Sequence, residues 1–335
     1  MTGDFRGLVE VLGVPAHPGG LVVRRPELSI GVVRLVSRPS GLEVDVLARQ
    51  PSDRRDATRR QREVRGGHAV APAPRVLLPD PDEGLELRLG VLDDSGRAHW
   101  AYPVRESSRT GDRHTGGFGP EHHRTFLLPP AFGEVSLVFA WPEIGFPEAV
   151  VTLPLPDRGA VERGATSIWD APVAAVPAAG RFADRDARHV GAVAVETGVA
   201  VTAPRVLHRG DHAAVVLTRL AAVEPGLLSA SVVGVARGGV ANALMGPPGA
   251  PPDLSRRSRG RTGPDLAVVR GAEAFRLPVD SAEAGGGSGR MVTDSRYVFD
   301  APADDVLDLL VTWPAVGLPD ALVRLPLIPP QRTER

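Results

Sequence analysis

The densest group of side chains able to do chemistry lies in one Gly-rich segment, where Asp112, His114, His122 and His123 stand within a dozen residues. Imidazoles at this density suit zinc or nickel. One reading of the chain is therefore a metal-dependent hydrolase using His114, His122 and His123. The spacing matches no established ligand pattern, however. Neighbours His122 and His123 also point to opposite faces if the segment is extended. A second pair, His208 and His212, flanks Arg209-Gly210-Asp211. Two histidines four apart hold zinc from one helical face, whereas this stretch predicts a hairpin turn, so the site is rejected.

Carboxylates gather at Asp80-Pro81-Asp82-Glu83 and at Asp304-Asp305. Both stretches read as turns, without the spaced oxygens and central Gly of an EF-hand loop. Gly286-Gly287-Ser288-Gly289-Arg290 fails the nucleophile-elbow pattern at its last position. No Gly-x-Gly-x-x-Gly lies between a strand and a helix. Asn242 is the only Asn, and Ala243-Leu244 behind it makes no glycosylation acceptor.

Missing residue types exclude more. All 39 basic residues are Arg. Without Lys there is no Walker A motif and no Schiff base to pyridoxal phosphate. With Cys at 0, thiol nucleophiles, thiolate zinc sites, iron–sulfur clusters and disulfides are excluded. The formal net charge of −1 gives no global field toward nucleic acid or an anionic membrane. Two Arg-rich stretches, 51–67 and 255–261, offer an anion- or nucleic-acid-binding reading. Neither interleaves aromatics to stack on bases, so both read as solvated loops and nucleic acid is not expected. No catalytic set, metal or cofactor is assigned.

The elements around these residues are written twice. Trp141-Pro142-Glu143-Ile144-Gly145-Phe146-Pro147 with Leu153-Pro154-Leu155 returns as Trp313-Pro314-Ala315-Val316-Gly317-Leu318-Pro319 with Leu325-Pro326-Leu327. The offset (313 − 141 = 172) runs without a gap from Arg124/Arg296 to Leu155/Leu327. Upstream, Ile30 to Val36 matches Val215 to Ala221 at an offset of 185 (219 − 34), which leaves 13 extra residues (185 − 172) in the first copy. The charged stretch 51–67 is their expected place. A tandem duplication explains both offsets.

Each copy reads as short strands. Leu42, Val44 and Val46 alternate with Glu43 and Asp45, a period of two that puts one face on a core. Arg38-Pro39-Ser40-Gly41 before them is a turn. Leu85, Leu87 and Leu89 alternate likewise, Asp93-Asp94-Ser95-Gly96 turns, and Trp100 and Tyr102 share a face of the returning strand. Strands every 8–12 residues or so with Pro and Gly between them predict sandwiches. The fold expected is all-β: two tandem β-sandwich domains from an internal duplication. Boundaries fall at 1–156 and 190–328, with 157–189 as a linker anchored by Ile168-Trp169. Pro142 and Pro314 end a strand, Gly145 and Gly317 allow the turn, and each Trp covers the end of its core.

Gly285 to Arg290, then Arg296-Tyr297, then a strand through Leu309 to Trp313-Pro314 with Gly317-Leu318, resembles a set of actinomycete proteins of no established activity. The likeness is best over the last quarter. In the first copy Arg124-Thr125 stands where Arg-Tyr is expected. The resemblance implies an actinobacterial source and a fold, not a function.

The residues thus favour a non-catalytic binding or structural protein. A partner, if protein, is expected at loop 105–123 rather than at its counterpart 281–295. Met1 to Arg6 shows no basic region followed by an apolar run, and no stretch reaches the ~20 apolar residues of a membrane helix. A cytoplasmic protein is expected.

Overall fold

The apolar runs condense into strands throughout the computed structural model, which describes residues 10–49, 63, 66–68, 86–109, 121–178, 182–188, 190, 198–224, 226–245, 263–287 and 289–327. Among the described residues, the short α-helices α1 (Arg158–Gly164) and α2 (Gly239–Met245) accompany the strands. No helix among the described residues is long and apolar enough to cross a membrane. The chain forms two compact units, one holding Gly13–Ala165 and the other Thr166–Gly191 and Gly198–Arg335.

In unit 1, one sheet runs in the order β2 (Val14–His17), β4 (Ser29–Arg38), β5 (Gly41–Arg49), β9 (Glu121–Leu128), β8 (Pro103–Arg109), with β3 (Gly20–Arg24) also on β4. The facing sheet is β11 (Phe146–Pro154), β10 (Glu134–Trp141), β6 (Arg88–Leu92), β7 (Ala98–Ala101). Ile30, Val44 and Phe126 of the first sheet meet Leu89, Leu137, Trp141 and Leu153 of the second in one core. Unit 2 repeats this. Its first sheet is β15 (Val199–Thr202), β17 (Ala213–Glu224), β18 (Leu227–Arg237), β22 (Arg290–Asp300), β21 (Val279–Gly287), with β16 (Arg205–Arg209) on β17. The second is β13 (Ala175–Pro177), β24 (Leu318–Pro326), β23 (Val306–Trp313), β19 (Asp265–Arg270), β20 (Glu273–Arg276), β14 (Ala183–Asp186). Its core joins Val215, Ala230 and Tyr297 to Leu266, Leu309, Trp313 and Val323. The protein is all-β, two tandem sandwiches from an internal duplication. Even the bulges repeat: Val32/Arg34 with Leu217/Arg219, Leu21/Val23 with Val206/His208, and Pro103/Arg105 with Val279/Ser281.

The repeated Trp-Pro-x-x-Gly motif is a one-turn reversal. Pro142–Ile144 and Pro314–Val316 each form a single 3-10 turn, whose fixed proline dihedral suits its first position. Gly145 and Gly317 close it at φ 78°, each N–H bonded to the Pro carbonyl at 2.8 and 3.0 Å. That left-handed conformation costs a side chain its Cβ clearance. The reversal folds β11 back on β10 with Trp141 opposite Phe146, and β24 back on β23 with Trp313 opposite Leu318. Both indoles are buried.

Three expectations change. First, the gapless offset fails in β9 and β22. Core-facing Phe126 and Leu128 pair with Val44 and Leu42, as Tyr297 and Phe299 pair with Ala230 and Leu228. The match there is one less than 172 (297 − 126 = 171), because a one-residue slip turns every side chain to the other face. The counterpart of Arg296-Tyr297 is therefore Thr125-Phe126, an aromatic in the same core position. Second, 281–295 is not a loop but mostly paired strand, β21 running along β22 from Val279/Tyr297 to Gly287/Arg290. The excess of the first copy is also spread out. Leu42 to Leu89 is nine residues longer than Leu228 to Leu266 (47 − 38), and Pro103 to Phe126 is five longer than Val279 to Tyr297 (23 − 18).

Third, where a linker is expected at 157–189, the described residues 157–178 and 182–188 hold defined elements. Asp157 caps α1 by accepting from Ala160 N at 2.7 Å, and α1 buries Val161. Beyond it, β12 (Thr166–Ser167) pairs with β1 (Val11–Leu12) inside unit 2. Ile168 and Ala171 then pack on the outer face of the first sheet against Val206, Ala214, Val216, Val233 and Val235. Arg209 donates to the carbonyls of Ile168 and Ala171 at 2.9 and 2.8 Å, and the Arg237 guanidinium lies 3.8 Å over the Trp169 ring. The reason is that β17 and β18 are apolar on both faces, and a sheet of that kind needs cover on both sides.

No heavy atom lies near a Cβ built on Gly317, so substitution there tests backbone conformation alone. Gly317→Ala should lower the unfolding free energy by about 1–2 kcal/mol, and Gly317→Asn by less, in urea titrations. Equal losses for the two would remove the left-handed turn as the cause.

Candidate functional site

Strand alternation decides what β9 presents. Pairing sets His122, Arg124, Phe126 and Leu128 beside Ala48, Val46, Val44 and Leu42 on the core face. His123, Thr125 and Leu127 lie beside Leu47, Asp45 and Glu43 on the other. His122 and His123 thus turn away from each other and do not converge on one ion. His114 lies outside the described residues, as do 110–120, all of 255–261, and 51–67 except 63 and 66–67. Of the 105–123 stretch, 105–109 and 121–123 are strand.

The structure instead gathers polar groups at the Trp141 end of unit 1. The His122 ring meets the Trp141 ring edge-on, centroids 4.9 Å apart at 81°. Trp141 Nε1 donates to Glu143 Oε1, and the Glu143 side chain is fully buried in the 3-10 turn. A carboxylate taken from water needs such donors to offset its desolvation. One pair along the sheet, Arg124 is buried with its Nε 3.3 Å from Glu106 Oε2 and its Nη1 donating to the His123 carbonyl at 3.0 Å. The result is an indole flanked by an imidazole and a carboxylate, with an adjoining ion pair.

Unit 2 has the same frame with other chemistry. By strand register, Glu106, His122 and Arg124 correspond to Ala282, Thr293 and Ser295, and Glu143 to Ala315 by the turn. Four ionisable positions become small and neutral. Trp313 Nε1 and Thr293 Oγ1 are buried and find no partner among the described residues. Gly234 takes the place of Ala48, and a Cβ there would come within 2.8 Å of the Trp313 ring. Glu106, Arg124 and Glu143 were not singled out as site residues from sequence. The signal was present as positions charged in one copy and neutral in the other, but only at the corrected register.

A second polar cluster lies on the opposite face. Glu43 is buried between Arg34, which donates to Oε1, and Arg38, whose Nη1 is 2.7 Å from Oε2. Burial pushes the Glu43 carboxyl up, but the charges of Arg34 and Arg38, the Arg38 hydrogen bond and the charge of Arg105 outweigh it and bring it down to about 2. In unit 2 the Arg34 position is Arg219, while the Glu43 position is Ser229.

No protein-family model matches the chain, and no curated protein matches it. Among solved structures it is similar to bovine butyrophilin, at 10% identity and a TM-score of 0.21, over 94% of this chain and 100% of that one. The N-terminal periplasmic domain of ScsB from Proteus mirabilis is matched at 10% identity and a TM-score of 0.21, over 93% and 99% of the two chains. A conserved domain protein from Bacillus anthracis is matched at 7% identity and a TM-score of 0.22, over 89% and 77%. Scores this low carry no argument about function.

The Glu43 cluster predicts a pH dependence. Because its folded pKa lies below the ordinary value of 4.5, its stabilisation is full above pH 4.5 and is lost as pH falls toward about 2. Glu43→Gln should cost about 3–5 kcal/mol at neutral pH by stranding buried guanidinium charge and should flatten this part of the acid-unfolding curve. An unchanged curve would show that Glu43 is not held this way.

Proposed function

We propose that the chain is a non-catalytic binding protein built of two β-sandwich repeats, whose partner engages the Trp141 end of unit 1 through the 105–123 stretch. One observation carries this reading. The two copies keep the same strands, bulges and buried Trp, yet Glu106, His122, Arg124 and Glu143 stand where unit 2 has Ala282, Thr293, Ser295 and Ala315. Packing alone does not require the charges, since unit 2 closes the same end without them. Of the four, Arg124 and Glu143 are buried, and charge taken from water costs stability unless it is well paired; unit 2 avoids that cost, and recognition explains why unit 1 does not. Glu106 is the exposed member that a partner can touch, held by buried Arg124, while half-buried His122 and buried Trp141 and Glu143 shape the surface behind it. We further propose an actinobacterial source and a cytoplasmic setting, on the sequence features already given.

The other two readings have less behind them. A hydrolase built on His114, His122 and His123 needs imidazoles that converge, and adjacent residues on a strand diverge. An anion or nucleic-acid binder would rest on 51–67 and 255–261 in a chain with no net positive field.

Unit 2 supplies the substitutions for the test. The variant Glu106→Ala, His122→Thr, Arg124→Ser, Glu143→Ala should keep its strand circular dichroism. Affinity capture from cell extract, followed by titration with the captured protein, should show binding weakened at least about tenfold, roughly 1.4 kcal/mol. The reverse changes at Thr293 and Ser295 should leave the affinity as it was. A folded four-site variant that binds with unchanged affinity would place the partner elsewhere.

A further inference from the structure

Unit 2 seals one side of its sandwich with a segment that has no counterpart among the described residues of unit 1. Val173 forms a parallel bridge with Val206 on β16, and Ala174 N donates to the Val206 carbonyl at 3.1 Å. The same segment continues as β13, antiparallel to β24 from Ala175/Val323 to Pro177/Ala321. It therefore bridges from the edge of one sheet to the edge of the other. β24 lies alongside β16 there, as β11 lies alongside β3 in unit 1.

The matching positions in unit 1 follow from register. Val206 sits at the bulge of β16 opposite Val216, as Leu21 sits at the bulge of β3 opposite Gly31. Leu322 opposite Leu310 corresponds to Val150 opposite Val138. Val206 is wholly buried, whereas Leu21 is 57% exposed, and Val150 is 50% exposed. Among the described residues β11 pairs only with β10.

The hydrogen-bonding direction of the open edge can be derived. Pro154 has no N–H and is opposite Glu134, so residues of its parity on β11 turn their N–H groups away from β10. Val150 and Thr152 share that parity. In unit 2, Ala178 N donates to the carbonyl of Asp320, which has the outward parity on β24, at 3.4 Å. Pro177, which has no N–H to give, falls at the intervening non-bonded position opposite Ala321. The same pattern of outward groups is thus offered by β11, bracketed by Pro147 and Pro154 as β24 is by Pro319 and Pro326.

We propose that the β3–β11 seam of unit 1 is a strand-accepting site for an extended segment of a partner protein, rich in small apolar residues and proline. The occupant's chemistry is set by the segment that fills the equivalent seam, Ala171-Pro172-Val173-Ala174-Ala175-Val176-Pro177. It runs parallel to β3, then antiparallel to β11, and covers Leu21 and Val150. Added strands draw affinity from main-chain hydrogen bonds and selectivity from alternate side chains. Small residues suit an approach between two sheet edges. An open apolar edge is also a hazard for self-pairing. The Trp141 end is a separate site, and either can fail alone.

The test uses the full chain and a synthetic peptide of residues 170–178. Amide hydrogen exchange should slow at least tenfold at Val150 and Thr152 when the peptide is in excess, with the Trp141 and Trp313 indole N–H groups unchanged. Val150→Pro removes one of the two outward donors without touching the β10 ladder, and should abolish the slowing at Thr152 while the protein stays folded. If that variant unfolds, Leu21→Glu at an exposed position should weaken the protection instead. No slowing in the wild type, or equal slowing in the folded variants, overturns the proposal. So does protection of the Val150 and Thr152 amides before peptide is added, whether in a monomer or in a concentration-dependent dimer seen by sedimentation.

Discussion

The reversal at the end of β10 and of β23 is the constraint on which the rest of each unit depends. An indole buried at the last position of a strand leaves the chain no room for a long loop. A bulge just before the Trp, a Pro-initiated 3-10 turn and a left-handed Gly return it within four residues. That fixes the register of β11 and β24, and with it which of their residues face the core. A buried Trp contributes on the order of 150–250 Å² of core surface, so the turn and the core stabilise each other. Both copies retain Trp, Pro and Gly, while the positions between Pro and Gly vary.

Within that frame polar groups are the variable quantity. Unit 1 places Glu143 in the turn and lets the Trp141 N–H satisfy one of its oxygens. Unit 2 has Ala315 there, and Trp313 Nε1 finds no acceptor among the described residues. An unmatched buried donor costs about 1–3 kcal/mol, so neither arrangement is free of cost. The first imposes geometry on a carboxylate, the second only fills space. The same contrast recurs at Glu43, paired with two arginines, and Ser229, its neutral counterpart. Unit 2 instead invests in covering layers: Ile168 and Ala171 over one sheet, β13 and β14 along the edges of the other.

Much of this was legible in the sequence. Trp-Pro-x-x-Gly announced its own turn, because Pro and Gly restrict backbone angles whatever surrounds them. The alternation of Leu42, Val44 and Val46 gave the core face of β5. Where reading failed, the cause was a distance effect. Arg124 and Arg296 look equivalent at a constant offset, but the connection after β22 is one residue longer than that after β9, and only cross-strand pairing reveals it. The 157–189 segment looked like a linker because its cover lies on β17 and β18. Its clue was the unbroken apolar run Ala213 to Leu217, which leaves no face for water. The candidate site was hidden for the same reason, since Glu106, His122, Arg124 and Glu143 converge only once β8, β9 and the turn are registered.

The claim that one frame carries two chemistries is read most directly from the indole N–H signals of Trp141 and Trp313 by NMR. Both should be strongly protected from exchange, with Trp141 shifted downfield by its carboxylate acceptor. Glu143→Ala should move the Trp141 signal toward that of Trp313 and leave Trp313 where it was. A rapidly exchanging Trp313 N–H, or a Trp141 signal indifferent to Glu143→Ala, would contradict the account.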